Sequence, residues 1–180
     1  TNNIMRIQIL LGIIFTISNI CAQDNASAQG SKVKNNSYDR LLNTLLKHSV
    51  PEINATELVT RMDEFILLDT RELREYEISH LRGARWVGYY NFKIQKIIDL
   101  NKDCPIVCYC SVGYRSEKIC EQLKANGFND VSNLYGSIFE WANLGYPLYG
   151  SDGKLTNYIH GFSKLWGRYM NNKSYVKVYK

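Results

Sequence analysis

The sequence predicts a single parallel α/β domain, and three observations carry the prediction. The runs "FILLD" (residues 65–69) and "PIVCY" (residues 105–109) are apolar without alternation, the pattern of strands buried on both faces of a parallel sheet. Strand-like and helix-like stretches take turns along the chain, as βαβ units require. At 180 residues and 45% hydrophobic content, the chain fills one core well and two poorly.

The elements follow in order. Met5 and Arg6 precede "IQILLGIIFTI", an apolar run brief for a bilayer span, and Ala22 supplies a small residue for cleavage. Residues 1–22 therefore read as a secretory signal peptide, with residues 1–4 ahead of the initiator, and the domain as exported, periplasmic or secreted. An uncleaved membrane anchor is the alternative, and bulky Ile20 disfavours a lipid-anchored Cys21. Residues 23–37, "QDNASAQGSKVKNNS", bury too little to offset their ordering entropy and read as a flexible linker. The domain is expected over residues 38–150. Leu41, Leu42, Leu45 and Leu46 make one helical face, and "SVPEI" is a short extended stretch. Asn54 with Glu57 three residues on starts a helix in the manner of a capping box. After the strand "FILLD" come a short helix or turn "RELREYEIS", a strand "ARWVG", and a helix "YNFKIQKIIDL" with apolar spacing at Phe92, Ile94, Ile97 and Ile98. The strand "PIVCY" leads to the helix "SEKICEQLKANG", stopped by Gly127; the strand "DVSNL" and the helix "GSIFEWANLG" complete the domain.

Four of the five cysteines, Cys104, Cys108, Cys110 and Cys120, crowd into "CPIVCYCSVGYRSEKIC". Cys110 falls at the carboxyl end of a buried strand, where α/β folds place their sites. Loop N–H groups and the helix start at Ser116 gather positive potential there, which lowers a thiol pKa from about 8.5 to about 3.5–7.5. Cys110 is thus a nucleophile candidate. Cys108 lies in a buried strand and Cys120 on the inward helical stripe with Ile119 and Leu123, so both read as core. Cys104 is incidental. A Cys108–Cys110 disulfide is disfavoured by strand geometry, while Cys110–Cys120 and Cys104–Cys120 pairings stay open. The spacing does not suit a metal, and no cofactor is expected.

The segments "LLDTRELREYEISHLRGARWV" and "PIVCYCSVGYRSE" resemble the rhodanese family over about residues 53–148: its Asp-x-Arg segment, its His-x-x-Gly-Ala turn and its Cys-x-x-Gly-x-Arg loop stand in order. The resemblance implies a five-stranded parallel sheet flanked by helices on both faces. It implies a sulfurtransferase of the thiosulfate sulfurtransferase type, in which Cys110 takes sulfur from a small donor such as thiosulfate and passes it, as a persulfide, to a thiol or cyanide. Ser111, Val112, Gly113, Tyr114 and Arg115, with Ser116, would form the cradle, and Asp69, Arg71, Glu75 and His80 match positions that shape and support the site; on their own chemistry these four read as buried ion pairs and turn formers rather than as catalysts. Gly113 would let the backbone approach the sulfur, and Arg115 would hold an anionic donor or brace the loop. Ser111, Val112 and Tyr114 make a moderately apolar rim, against a simple preference for thiosulfate.

Two other classes compete. A non-catalytic binding module of the same type is disfavoured by the presence of Cys110. A cysteine phosphatase or arsenate reductase needs a wider ring of donors than the four residues between Cys110 and Arg115 provide. The net charge of +5 resides in residues 151–180, which carry six Lys or Arg against Asp152. In that tail Tyr158, Ile159, Phe162, Leu165, Trp166, Tyr169 and Met170 approximate a helical stripe, weakened by Gly161 and Gly167, expected to pack on the domain. Nucleic acid is not an expected partner of an exported domain, and membrane contact is expected through the signal segment or the basic tail alone.

Overall fold

The structure, a computed structural model, describes residues 33–180; the expected signal peptide and linker residues 23–32 lie outside the described residues. A sheet of five parallel strands forms its centre: β1 (Glu52–Ile53), β2 (Ile66–Asp69), β3 (Arg85–Trp86), β4 (Ile106–Tyr109) and β5 (Val131–Leu134), in the order β1-β5-β4-β2-β3. β2 runs beside β4 from Ile66 opposite Ile106 to Asp69 opposite Tyr109. Their carboxyl ends therefore finish level, one residue short of Cys110.

The helices are α1 (Asn36–Leu45), α2 (Ala55–Thr60), α3 (Leu73–Ile78), α4 (Tyr114–Ala125), α5 (Ser137–Asn143) and α6 (Lys164–Gly167). Successive strand residues face opposite sides, so the apolar runs feed two cores. Leu67, Val107 and Tyr109 pack with Leu42, Leu58, Ile138 and Trp141, from α1, α2 and α5. Leu68, Ile106 and Cys108 pack with Ile119, Cys120 and Leu123 of α4. Each fully buried Leu or Ile contributes about 1.5–3 kcal/mol before entropy is subtracted. At α2 the Asn54 side chain accepts the Glu57 N–H at 2.8 Å. Glu57 turns its carboxylate to Arg61 at 2.9 Å, so the capping box is half made.

Several elements differ from expectation. The folded chain is ordered ahead of Tyr38: Val33 is buried, the Lys34 N–H donates to Glu140 Oε1 at 2.7 Å, and Asn35 caps α1 through the N–H groups of Ser37 and Tyr38. "YNFKIQKIIDL" yields only a 3-10 turn at Ile94–Ile97. Ile97 is buried while Ile98 is 77% exposed, so the apolar residues share no face, and Lys96 Nζ ties the turn to the Val87 carbonyl at 2.7 Å. The helix after Cys110 starts at Tyr114 rather than Ser116, with Gly113 as its N-cap.

The tail is not a helical stripe. After the hairpin of β6 (Leu148–Tyr149) and β7 (Leu155–Thr156), β8 (Tyr158–His160) pairs in parallel with β9 (Val176–Val178), and α6 lies between them. Phe162 at φ 60° breaks any helix, and the Tyr179 ring lies against Gly161 and Gly167, whose missing Cβ atoms leave it room. Ile159 and Met170 are buried, whereas Tyr158, Phe162 and Leu165 are exposed, a division no single stripe would give. The segment is fastened by the Tyr169 ring stacked on Tyr38 at 5.3 Å and by the Asn143 amide donating to the Tyr169 carbonyl at 2.9 Å.

Candidate active site

The loop after β4 is held from two sides. The Cys110 N–H donates to Ser137 Oγ at 3.0 Å, and the Ile138 and Phe139 N–H groups at the start of α5 donate to the Cys110 and Ser111 carbonyls at 3.3 and 3.2 Å. On the other side Asn133, from β5, accepts from Ser116 Oγ at 2.7 Å and donates to the Gly113 carbonyl at 3.1 Å. Gly113 has φ 114°, a conformation closed to L side chains. A Cβ there would meet its nearest atoms, Asn133 Nδ2 and Leu46 Cδ1, at an ordinary 3.5 Å. Conformation, not a clash, is therefore what requires glycine. The turn aims the Gly113 N–H at Cys110 Sγ, 3.1 Å away.

Burial is the largest influence on the Cys110 thiol and opposes its ionisation. The Arg115 charge, the N–H groups of Ser116 and Gly113 and the Ser116 hydroxyl together outweigh it, so the pKa lies below the ordinary thiol value. Cys108 goes the other way: burial, then Cys120 and Cys110, push its thiol well up. Cys104, Cys108, Cys110 and Cys120 are all free, which closes the disulfide pairings left open by the sequence.

Arg115 braces the loop. Its guanidinium grips Glu75 through two bonds, Nη1 to Oε2 at 2.7 Å and Nη2 to Oε1 at 3.0 Å, and also donates to Ser111 Oγ at 2.9 Å. Ser111 Oγ donates in turn to Glu75 Oε1 at 3.1 Å. Burial would raise the Glu75 pKa, but the two bonds and the charge of Arg115, with the charge of Arg71, hold it far below the usual carboxylate range. Glu75 also accepts the Glu72 N–H at 2.9 Å, so the start of α3 fixes the carboxylate.

The other expected supports bond elsewhere than to the cysteine loop. Asp69 and Arg71 form a fully buried pair, Nη2 to Oδ2 at 2.6 Å, and Arg71 also donates to the Ser79 carbonyl. They close the turn after β2. His80 stacks on Tyr76 at 4.0 Å and exchanges backbone hydrogen bonds with Tyr149, which joins β6 to the domain. Sequence reasoning missed Ser137 and Asn133, which depend on β5 lying beside β4, and His160, Phe162 and Trp166, which the tail brings to the site. His160 Nδ1 lies 3.7 Å from Glu75 Oε1. A cavity of about 240 Å³ opens on Cys110, lined by Leu45, Val112 and Tyr114 and by Phe162 and Trp166 of the tail.

A Cys110 thiolate bordering a cavity and an adjacent N–H donor can attack an electrophilic sulfur and hold the resulting anion. The family model described as "Rhodanese-like domain" matches residues 54–144. A protein named tRNA uridine(34) hydroxylase from Listeria welshimeri is 40% identical over 81 residues, covering 42% of this chain and 25% of that protein. Its counterpart of the same name in Wigglesworthia glossinidia brevipalpis is 33% identical over 117 residues, 62% of this chain and 36% of that protein. The chain thus spans a quarter to about a third of the length of these curated relatives. Among solved structures, the rhodanese-like domain of an Anabaena protein matches with a TM-score of 0.52 and 26% identity, over 56% of this chain and 79% of that one.

Proposed function

The chain belongs to the rhodanese-like domain family, and from that premise we propose that it is a sulfurtransferase carrying sulfane sulfur as a persulfide on Cys110. The Cys110 thiolate attacks the outer sulfur of a donor such as thiosulfate. The donor's S–S bond breaks, its electron pair leaves with sulfite, and Cys110–S–S⁻ remains. A thiolate or cyanide then attacks the terminal sulfur, and the electron pair of the breaking bond returns to Cys110 Sγ.

The observation that carries this reading is the Gly113 N–H held 3.1 Å from Cys110 Sγ in a loop fixed by Arg115 and Glu75. Such a donor stabilises negative charge on sulfur both before and after loading. The commitment of Arg115 to Glu75 weighs against a phosphatase or arsenate reductase, whose oxyanion would need that guanidinium. The ionisation-favouring environment of Cys110 weighs against an inert module. The test is to treat the protein with inorganic polysulfide, remove the excess and add cyanide. One equivalent of thiocyanate is expected from native protein and from Cys120→Ala, and none from Cys110→Ser. Equal yield from Cys110→Ser would refute the assignment.

Identity to tRNA uridine(34) hydroxylases favours a second reading, in which the domain serves hydroxylation of a tRNA uridine. Lys164, Arg168 and Lys173, exposed on the tail, would then meet phosphates. Salt-reversible retention of tRNA on a filter would support it, and no retention at low salt would remove it.

A further inference from the structure

Resting on the persulfide reading, we propose that the sulfur acceptor is a small thiol bearing an uncharged alkyl or aryl group, and that Phe162 and Trp166 of the C-terminal segment select it.

Charge is the first argument. Among the described residues lining the cavity, Arg115 is the one cation. It is engaged by the Glu75 carboxylate through two bonds and by Ser111, and the Phe162 ring lies over its guanidinium, 5.0 Å from Cζ to the centroid. An acceptor carrying a carboxylate would lose hydration on entering and meet no free positive charge in return. The apolar rim read from Ser111, Val112 and Tyr114 extends to Phe162 and Trp166 of the tail.

Shape is the second. Leu45, Val112, Tyr114, Phe162 and Trp166 present carbon to the space beside Cys110. A cavity of about 240 Å³ is smaller than the roughly 300–1,000 Å³ that drug-sized ligands occupy. It suits a short thiol.

Placement of Phe162 is the third. Phe162 is 46% exposed, so core packing does not account for it, yet its backbone sits at φ 60°, an unfavourable conformation for a phenylalanine. The surroundings impose it. The Phe162 N–H donates to buried His160 Nδ1 at 3.1 Å, the Gly161 N–H donates to the Val178 carbonyl at 2.8 Å, the β8–β9 pairing fixes the residues before it, and the Ser163 N–H after it donates to the Gly161 carbonyl at 2.6 Å. The tail thus holds an aromatic ring at the mouth of the nucleophile's cavity.

In the transfer the acceptor thiol first gives its proton to solvent. Its thiolate attacks the terminal sulfur of Cys110–S–S⁻, forming R–S–S⁻, and the pair of the broken bond returns to Cys110 as the thiolate. The test loads the full chain with inorganic polysulfide, removes the excess, and measures the rate of persulfide discharge to ethanethiol, propanethiol, butanethiol and mercaptopropionate at equal thiolate concentration. Apolar seating predicts a rate constant per acceptor concentration that rises about fourfold per methylene along the alkyl series. Mercaptopropionate should be slower than propanethiol. In Phe162→Ser and Trp166→Ser the rise should flatten to about twofold or less per methylene. Leu165→Ser, on the same short helix as Trp166 and exposed, should keep the native slope. The slope is a ratio within one variant and does not depend on the fraction folded. Equal rates along the series, or a faster mercaptopropionate, would overturn the specificity while leaving the carrier chemistry intact. Failure of Cys110 to load would overturn the carrier reading and this proposal with it.

Discussion

At Cys110 burial and charge pull in opposite directions, and the loop decides the outcome. Cys110 is 1% exposed, which opposes ionisation, while Arg115, Gly113 and Ser116 favour it. Alkylation of Cys110 should therefore reach half its plateau below the free-thiol value of about 8.5. Ser116→Ala should move that midpoint upward. A native midpoint at or above the free-thiol value contradicts the geometry. Glu75 carries the complementary prediction. Glu75→Gln leaves the Arg115 guanidinium buried without its carboxylate, a change that costs about 3–5 kcal/mol. The folded-state pKa of Glu75 is depressed, so its contribution is complete above the unfolded value of about 4.3 and is lost as pH falls below it. Urea unfolding should show a constant gap between native protein and Glu75→Gln above about pH 5, narrowing in more acid solution. A gap as wide at pH ~3 as at pH ~7 would show that the carboxylate charge is not what stabilises the fold.

Among the elements, the strands were the most readable, because "FILLD" and "PIVCY" must be buried on both faces wherever they go. The same reasoning put Cys110 at a strand's carboxyl end. Strand order was not readable: Ser137 and Asn133 reach the cysteine loop because β5 lies beside β4, a non-local fact. The tail misled for a different reason. Its aromatics fall near helical spacing, but Gly161, Phe162 and Gly167 prevent a continuous helix, and the pairing of β8 with β9 supplies the backbone hydrogen bonds instead. Asp69, Arg71 and Glu75 were legible as members of buried ion pairs but not who pairs with whom, and the neighbourhood of His160 and Glu75 depends on how that tail returns. Deleting residues 151–180 removes buried Ile159, His160 and Met170 and strips one wall from the Cys110 cavity. The truncated chain should melt lower and bind an apolar dye, with about 1.5–3 kcal/mol lost for each buried apolar side chain before entropy is subtracted. An unchanged melting temperature would mean that the segment does not pack as described.

Across the whole molecule, the parts serve one loop. The sheet delivers β4 to Cys110, α5 pins the loop's carbonyls, α3 presents Glu75 to Arg115, and the tail walls the cavity. Positive charge gathers in the tail, largely on exposed side chains, while the cavity itself holds a neutralised cation. Among the described residues no helix is long and apolar enough to cross a membrane. The central claim is that this arrangement makes Cys110, and not its neighbours in sequence, the residue that bears sulfur. Peptide mass mapping of native protein loaded with inorganic polysulfide and then alkylated tests it most directly. The account predicts one additional sulfur on the peptide containing Cys110, localised to that residue by fragmentation, with Cys104, Cys108 and Cys120 unmodified by sulfur. Sulfur on Cys104, or on no cysteine, would contradict it.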